Sequence, residues 1–249
     1  MTLKSLAKRV TPAWAFRTRD RYRNARATRR FAGMPTDQVF ETIYREGLWG
    51  GEAGGEPTSG RGSHDATIVE PYVAAVTAFL QELPVPPDAV DLGCGDFNVG
   101  SRIRPACGRY VACDVAASVI ERNRGHYPAE LDVDFRALDM LTEPLPEGDV
   151  AFVRQVLQHL SNAQIQQVLP KLRRYRWVLI TEHVSDDPRF VPNLDIVAGP
   201  GIRTERRSGV VLADPPFSFV ADEAREICRV DHEEGTIVTT AYRFDGTGA

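Results

Sequence analysis

AVDLGCGDFNVG, Ala89 to Gly100, is the stretch from which the fold can be read. An apolar run meets an acid at Asp91 and breaks at Gly93-Cys94-Gly95. The pattern predicts a buried strand running into a glycine turn that opens a helix. Glycine lacks a Cβ, so a ligand can approach the backbone closely at such a turn. The free N–H groups at the start of the following helix then face that ligand. A nucleotide-like cofactor suits the arrangement.

Downstream of this turn the sequence alternates. Apolar strands are predicted near 89–93, 109–113, 132–136, 149–153 and 177–181, and helices near 99–104, 116–124 and 162–173. Such alternation argues for a parallel sheet with helices on both faces. Residues 184–218 are irregular, with five prolines. A helix around 220–225 is expected to lead into strands near 226–231 and 236–243, with Gly235 in the turn of a terminal hairpin.

Upstream, residues 35–48 place Val39, Phe40, Ile43, Tyr44 and Leu48 at helical spacing, with Thr36 or Asp37 as candidate cap. A glycine-rich loop follows, Trp49 to Ser63, and then a helix from about Asp65 to Leu83 that Pro84, Pro86 and Pro87 stop. The chain therefore divides into a basic amphipathic extension (1–34), a helix plus glycine-rich loop (35–64) and a main domain (65–249) with an insertion at 184–218.

The 249 residues carry a net charge of −4, unevenly spread. Residues 1–31 hold ten Lys/Arg and one acid, Asp20, so the remainder holds 20 basic and 33 acidic residues. A basic, amphipathic start suits peripheral contact with a membrane surface through residues 1–30. It is also what a nucleic-acid footprint would need, although the acidic main domain disfavours that partner. Four cysteines without CxxC spacing suggest neither zinc nor disulfides, and no apolar run reaches bilayer length, so a cytoplasmic location, with membrane association at the cytoplasmic face, is expected.

Three acids stand at three successive strand ends: Asp91, then Asp114, 19 residues after Gly95, and Asp139, followed by Met140. Ligands of open α/β sheets bind beyond the carboxyl ends of strands. A carboxylate at the second strand end fits ribose hydroxyls, which does not by itself separate NAD from S-adenosylmethionine. The pyrophosphate of NAD would make Asp91 an awkward neighbour. The ammonium and sulfonium of S-adenosylmethionine suit it. Asp139 and Met140 offer an acceptor for the adenine amine and an apolar wall for its ring. The G-x-G-x-x-G pattern also lacks its third glycine, because Asn98 stands there.

On these residues the chain resembles the class I S-adenosylmethionine-dependent methyltransferases. DLGCG (91–95) resembles their first motif, CDV (113–115) the ribose motif, LDM (138–140) the adenine motif, and DVAFVRQVLQHL (149–160) the fourth strand and the helix after it. The likeness covers roughly residues 65–183. It implies a Rossmann-like α/β fold, a seven-stranded mostly parallel sheet in the order 3-2-1-4-5-7-6 with helices on both faces. It also implies cofactor contacts at Asp91, Gly93, Cys94, Gly95, Asp114, Val115, Asp139 and Met140. Phe97 departs from the family's G-x-G-x-G, which puts the shape of the cofactor wall in doubt.

Methyl transfer from a sulfonium needs an in-line nucleophile, and an oxygen nucleophile gains from a base. Arg154 and Gln155 follow the fourth strand and fall beside the cofactor by position; Arg154 alternatively binds an acidic substrate group or pairs with a carboxylate. His159 lies one helical turn beyond Gln155 and is the first choice for a base. Glu182 and His183 end the fifth strand and are candidates for facing the acceptor. A metal site would want an acid where Arg154-Gln155 stands, so none is assigned. The loop 49–63 reads as a lid that brings Trp49, Ser59, Ser63 and His64 over the pocket, with Tyr44 beside it. ADPPFSF (213–219) imitates an adenine-N6 methyltransferase motif but lies after the fifth strand, and reads as a rigid proline loop. The expected activity is O-methylation of a small hydroxylated acceptor such as a sugar or glycan; RNA methylation is the alternative.

Overall fold

The computed structural model describes residues 29–51, 54–232 and 235–246. The contacts expected of residues 1–30 thus fall almost wholly outside the described residues. The strands are β1 (Ala89–Leu92), β2 (Tyr110–Asp114), β3 (Val133–Ala137), β4 (Val150–Arg154), β5 (Trp177–Ser185), β6 (Glu223–His232) and β7 (Gly235–Arg243). The helices are α1 (Thr36–Arg45), α2 (Arg61–His64), α3 (Ala66–Gln81), α4 (Gly100–Ile103), α5 (Ala117–His126) and α6 (Asn162–Leu172). One sheet holds all seven strands in the order β3-β2-β1-β4-β5-β7-β6. Strands β1 to β5 run parallel, and β7 runs antiparallel to both its neighbours. This is the Rossmann-like order that the resemblance implies.

Successive strand residues face opposite sides of a sheet, and the core divides accordingly. Val90, Leu92, Val111, Ala151, Val153, Val178 and Ile180 pack with Val39 and Ile43 of α1 and with Ile165, Val168, Leu169 and Leu172 of α6. Their strand neighbours Ala89, Tyr110, Ala112, Val150, Phe152 and Leu179 pack on Val69, Tyr72, Val76 and Phe79 of α3. Helices α3 and α6 start on side-chain caps. Asp65 accepts from Thr67 N, and Ser161 and Gln164 form a reciprocal capping box.

Three local expectations change. Residues 223–225 are strand, because Glu223 already pairs with Arg243 and the ladder runs on to His232↔Gly235. Sheet pairing outweighs the local helical pattern there. Neither Thr36 nor Asp37 caps α1: Pro35 holds the cap position, and the Thr36 hydroxyl accepts from Gln164 Nε2 of α6. The helix after the glycine turn is only four residues long and passes into a 3₁₀ turn at Arg104–Ala106. Pro105 has no N–H with which to continue it.

The parallel strands end on one edge of the sheet. Residue Arg154 is the end of β4, paired with Thr181, but β5 continues to Ser185 against β7 alone. That overhang extends the sheet past the end of β4.

Candidate active site

The glycine turn is built around backbone and buried side chains. Gly93 and Cys94 N–H groups both donate to Cys113 O, at 2.8 and 2.9 Å. Gly95 N donates to Asp114 Oδ2 at 3.0 Å, and the fully buried Asn123 of α5 donates to Gly95 O at 2.7 Å. Gly93 and Gly95 have φ of +80° and +56°. A Cβ on Gly93 would lie 2.5 Å from Val156 Cγ2, and one on Gly95 would lie 2.1 Å from Ser59 Oγ. Neither position tolerates a side chain.

Phe97 takes the left-handed conformation a glycine would take there, with φ +61°. Its ring is fully buried and meets Tyr110, Tyr127 and Phe135 edge-on at 5.6, 5.2 and 5.0 Å. It lies against Gly100, where a Cβ would be 2.3 Å from the ring. The residue faces the α3 side of the core and not the cavity, so the departure at 97 leaves the cofactor wall untouched.

A cavity of about 610 Å³ opens over the strand ends, a size that takes a small-molecule ligand. Asp91, Gly93, Cys94, Asp114, Val115, Asp139, Met140, Arg154 and Gln155 all line it. Gly95 supports the floor through Asp114 instead. Burial pushes the Asp91 carboxyl up to about 7, opposed by the Tyr110 hydroxyl at 3.1 Å and by the Arg154 charge. Burial pushes Asp114 up to about 6, opposed by the N–H groups of Ala116 and Gly95. These two acids thus sit out of water without a cation fully matching them, which fits a cationic ligand with hydroxyls. The Asp139 carboxylate accepts from Leu141 N at 2.8 Å and from Thr142 Oγ1 at 3.2 Å. Each of its oxygens has lone-pair capacity left for a ligand. Lys171 of α6 clamps that turn by donating to the carbonyls of Met140, Leu141 and Glu143.

The acceptor-side candidates separate. His159 lines the cavity, though by another route than a helix shared with Gln155. Gln155 has φ +55°, and residues 157–159 form a 3₁₀ turn. His159 Nδ1 lies 3.2 Å from both Gly199 O and Gly201 O, and carbonyls only accept, so Nδ1 carries the proton. Nε2 keeps its lone pair, met by Gln158 Nε2 at 3.3 Å. Burial pulls the imidazole down to about 4, so it is neutral near pH 7.

Glu182 and His183 do not face the acceptor together, because neighbours on a strand point to opposite faces. His183 lines the cavity. Glu182 points to the other face, where Oε1 accepts from Leu157 N at 3.0 Å. Burial pushes its carboxyl up to about 8. It braces the 3₁₀ turn that carries His159.

The loop after α1 roofs the cavity. Tyr44, Trp49, Ser59 and Ser63 line it. Asp96 Oδ2 accepts from Ser59 N and meets His64 Nε2, both at 2.7 Å, while Asp96 N donates to Ser59 Oγ at 2.8 Å. Asn98, at the missing third glycine, donates to Ser63 O at 2.6 Å. Arg154 donates to Gly62 O at 2.5 Å. Trp49 Nε1 donates to Pro200 O at 3.1 Å, and its ring lies 4.9 Å from that of His159.

Sequence reasoning missed Asp96, Tyr72 and His232. Asp96 and Asn98 were legible only as turn residues, since their partners lie over thirty positions away. Residues 213–219 do not reach the cavity: Phe217 and Phe219 pack on the α1–α6 side of the core, and Asn193 Nδ2 donates to Val211 O and Pro215 O.

Residues 90–175 match the profile of the family described as "Methyltransferase domain". No curated protein matches the chain by sequence. Human N-acetylserotonin methyltransferase in complex with SAM is similar in structure, with TM-score 0.56 at 18% identity, over 86% of this chain and 61% of that one. This chain thus spans less than two thirds of the human protein's length. The N-methyltransferase NodS from Bradyrhizobium japonicum WM9, with S-adenosyl-l-homocysteine, gives 0.53 at 14% identity, over 75% and 91%. The N-terminal domain of EvdMO1, in the presence of SAH and D-fucose, gives 0.52 at 14%, over 85% and 98%. Residues 90–175 thus match a methyltransferase-domain profile, and the chain shares the Rossmann-like fold of these structures.

Proposed function

We propose that this S-adenosylmethionine-dependent methyltransferase methylates a hydroxyl of a small acceptor of the sugar or glycan type. One observation carries the reading: a single cavity joins three strand-end acids to an aromatic, histidine-bearing chamber under the loop 49–63. Asp114 would hold the ribose hydroxyls, Asp139 and Met140 the adenine, and Asp91 the cationic amino-acid end. When bound, the cofactor supplies an electrophilic methyl group whose transfer neutralises the sulfonium.

The chain's own part is positioning and proton handling. Trp49 presents a flat ring against which the apolar face of a sugar can stack. Its edge is fixed by Tyr44, 5.2 Å away and perpendicular, and by the bond to Pro200. His159 Nε2 accepts the acceptor's hydroxyl proton. Its bond to Gln158 is long enough for that hydroxyl to replace. The Gly199 and Gly201 carbonyls fix the tautomer and stabilise the ring once it is protonated. Glu182 holds the 3₁₀ turn in place from behind. The N-terminal domain of EvdMO1, similar in fold, was crystallised in the presence of SAH and D-fucose, which agrees with a sugar-type acceptor.

The test is S-adenosylhomocysteine release by the full-length protein over a panel of free sugars, with His159→Ala alongside. Release with a hydroxylated acceptor, falling by about 10²–10⁴ in the variant, is the expected result. Unchanged turnover in His159→Ala removes the base assignment, and release only with RNA removes the small-acceptor reading.

A further inference from the structure

Residues 199–203 of the insertion run beside the turn that carries His159 and meet it at every second position. Gly199 N donates to His159 O at 3.1 Å. His159 Nδ1 meets the carbonyls of Gly199 and Gly201. Arg203 then donates from Nη2 to Leu160 O at 2.6 Å. The carbonyls at 199 and 201 decide which ring nitrogen holds the proton. Whatever keeps this stretch in register with the turn therefore keeps the lone pair on Nε2.

Arg203 is the one charged side chain in the stretch, and it is wholly buried. Burying a guanidinium is costly unless its N–H groups are met. Leu160 O meets Nη2 and Leu194 O meets Nη1, whereas Nε has no partner among the described residues. The fork thus joins the turn after β4 to an earlier part of the insertion. Leu194 is itself held, since its N–H donates to Ser208 Oγ at 3.0 Å. Ser208 N donates to Arg203 O at 3.1 Å, and Ser208 O accepts from Ser185 N, at the end of β5, at 3.3 Å. A continuous path of bonds runs from β5 through Ser208 and Arg203 to the His159 turn. Glu182, also on β5, holds the same turn at Leu157 N, and its charge and that of Arg203 act on each other.

We propose that Arg203 is a positioning residue for the base: its fork fixes residues 199–201 against the His159 turn and so keeps the ring in the Nδ1–H tautomer. This rests on the reading of His159 as the base. Methionine at 203 fills the space but holds neither Leu160 O nor Leu194 O, so the Gly199 and Gly201 carbonyls are no longer pinned and both tautomers populate. Lysine keeps the charge and loses the fork.

Long-range proton–nitrogen spectra of the full-length protein near neutral pH report the tautomer of each histidine ring without any acceptor, and His159→Ala identifies the His159 signals. The unmodified protein shows a single Nδ1–H tautomer there. Arg203→Met moves both ring nitrogens toward the averaged positions of a two-tautomer mixture. It lowers kcat about ten-fold or more while acceptor KM and S-adenosylhomocysteine affinity stay within about three-fold. Arg203→Lys falls between the two proteins in both readouts. His159 signals unchanged in Arg203→Met overturn the proposal, since a residue that serves folding alone lowers Tm and leaves the tautomer as it was. Where Arg203→Met does not fold, unchanged signals in Arg203→Lys overturn it equally. Turnover that survives in His159→Ala, with the tautomer still shifted in Arg203→Met, overturns the base reading instead.

Discussion

Replacing Phe97 by glycine and by alanine separates two properties of the glycine turn. Both variants delete a fully buried ring from a cluster of Tyr110, Tyr127 and Phe135, a loss of about 3–5 kcal/mol. They differ in the backbone. At φ +61° an alanine keeps the left-handed strain, about 1–2 kcal/mol, and a glycine does not. Glycine gives back about 0.5–1 kcal/mol through the freedom it adds to the unfolded chain. Phe97→Gly is therefore more stable than Phe97→Ala by up to about 1.5 kcal/mol. The usual order in helices and strands is the reverse. Urea unfolding followed by tryptophan fluorescence reads the difference directly, provided both variants share one m value. S-adenosylhomocysteine affinity stays within about two-fold in both, because the ring does not reach the cavity. An alanine variant as stable as the glycine variant, or more so, refutes the strain argument.

With the cofactor saturating, kcat keeps its neutral-pH value down to an acid limb near pH 4, since burial lowers the pKa of His159 and its base form persists as pH falls through 6.5; a limb near 6.5 in the pH–rate profile contradicts this. Asp91, pushed up to about 7, is ionised above that pH, so affinity for S-adenosylmethionine falls as pH drops through 7, and Asp91→Asn abolishes that dependence in calorimetric titrations at pH 6 and 8. Asp96→Ala removes two 2.7 Å contacts that hold Ser59 and His64, and speeds S-adenosylhomocysteine dissociation about ten- to hundred-fold in stopped-flow measurements. An unchanged dissociation rate would show that the roof does not govern release.

The parallel core was legible because its signals are local. Strand ends at Leu92, Asp114 and Arg154 fall within a residue of where apolar runs meet polar ones. Asp91 and Asp114 follow from the first two of those ends, and so their place on the cavity was readable from sequence. The acceptor side depends on pairings that no local pattern carries. Glu182 and His183 look equivalent until β5 is set against β7 and the alternation sends them to opposite faces. His232 gains its place only when β6 joins the sheet, through pairing that replaces the helix expected at 220–225. The missing glycines are accounted for by tertiary contacts: Phe97 by the aromatic cluster beneath it, Asn98 by its bond to the roof at Ser63.

Calorimetric titration of the purified full-length protein with S-adenosylhomocysteine, in parallel with Asp114→Ala, is the most direct test that the strand-end acids serve this cofactor. One site per chain, weakened at least about ten-fold in the variant, is the predicted result. No binding heat with S-adenosylhomocysteine while NAD binds, or an affinity that Asp114→Ala leaves unchanged, contradicts it.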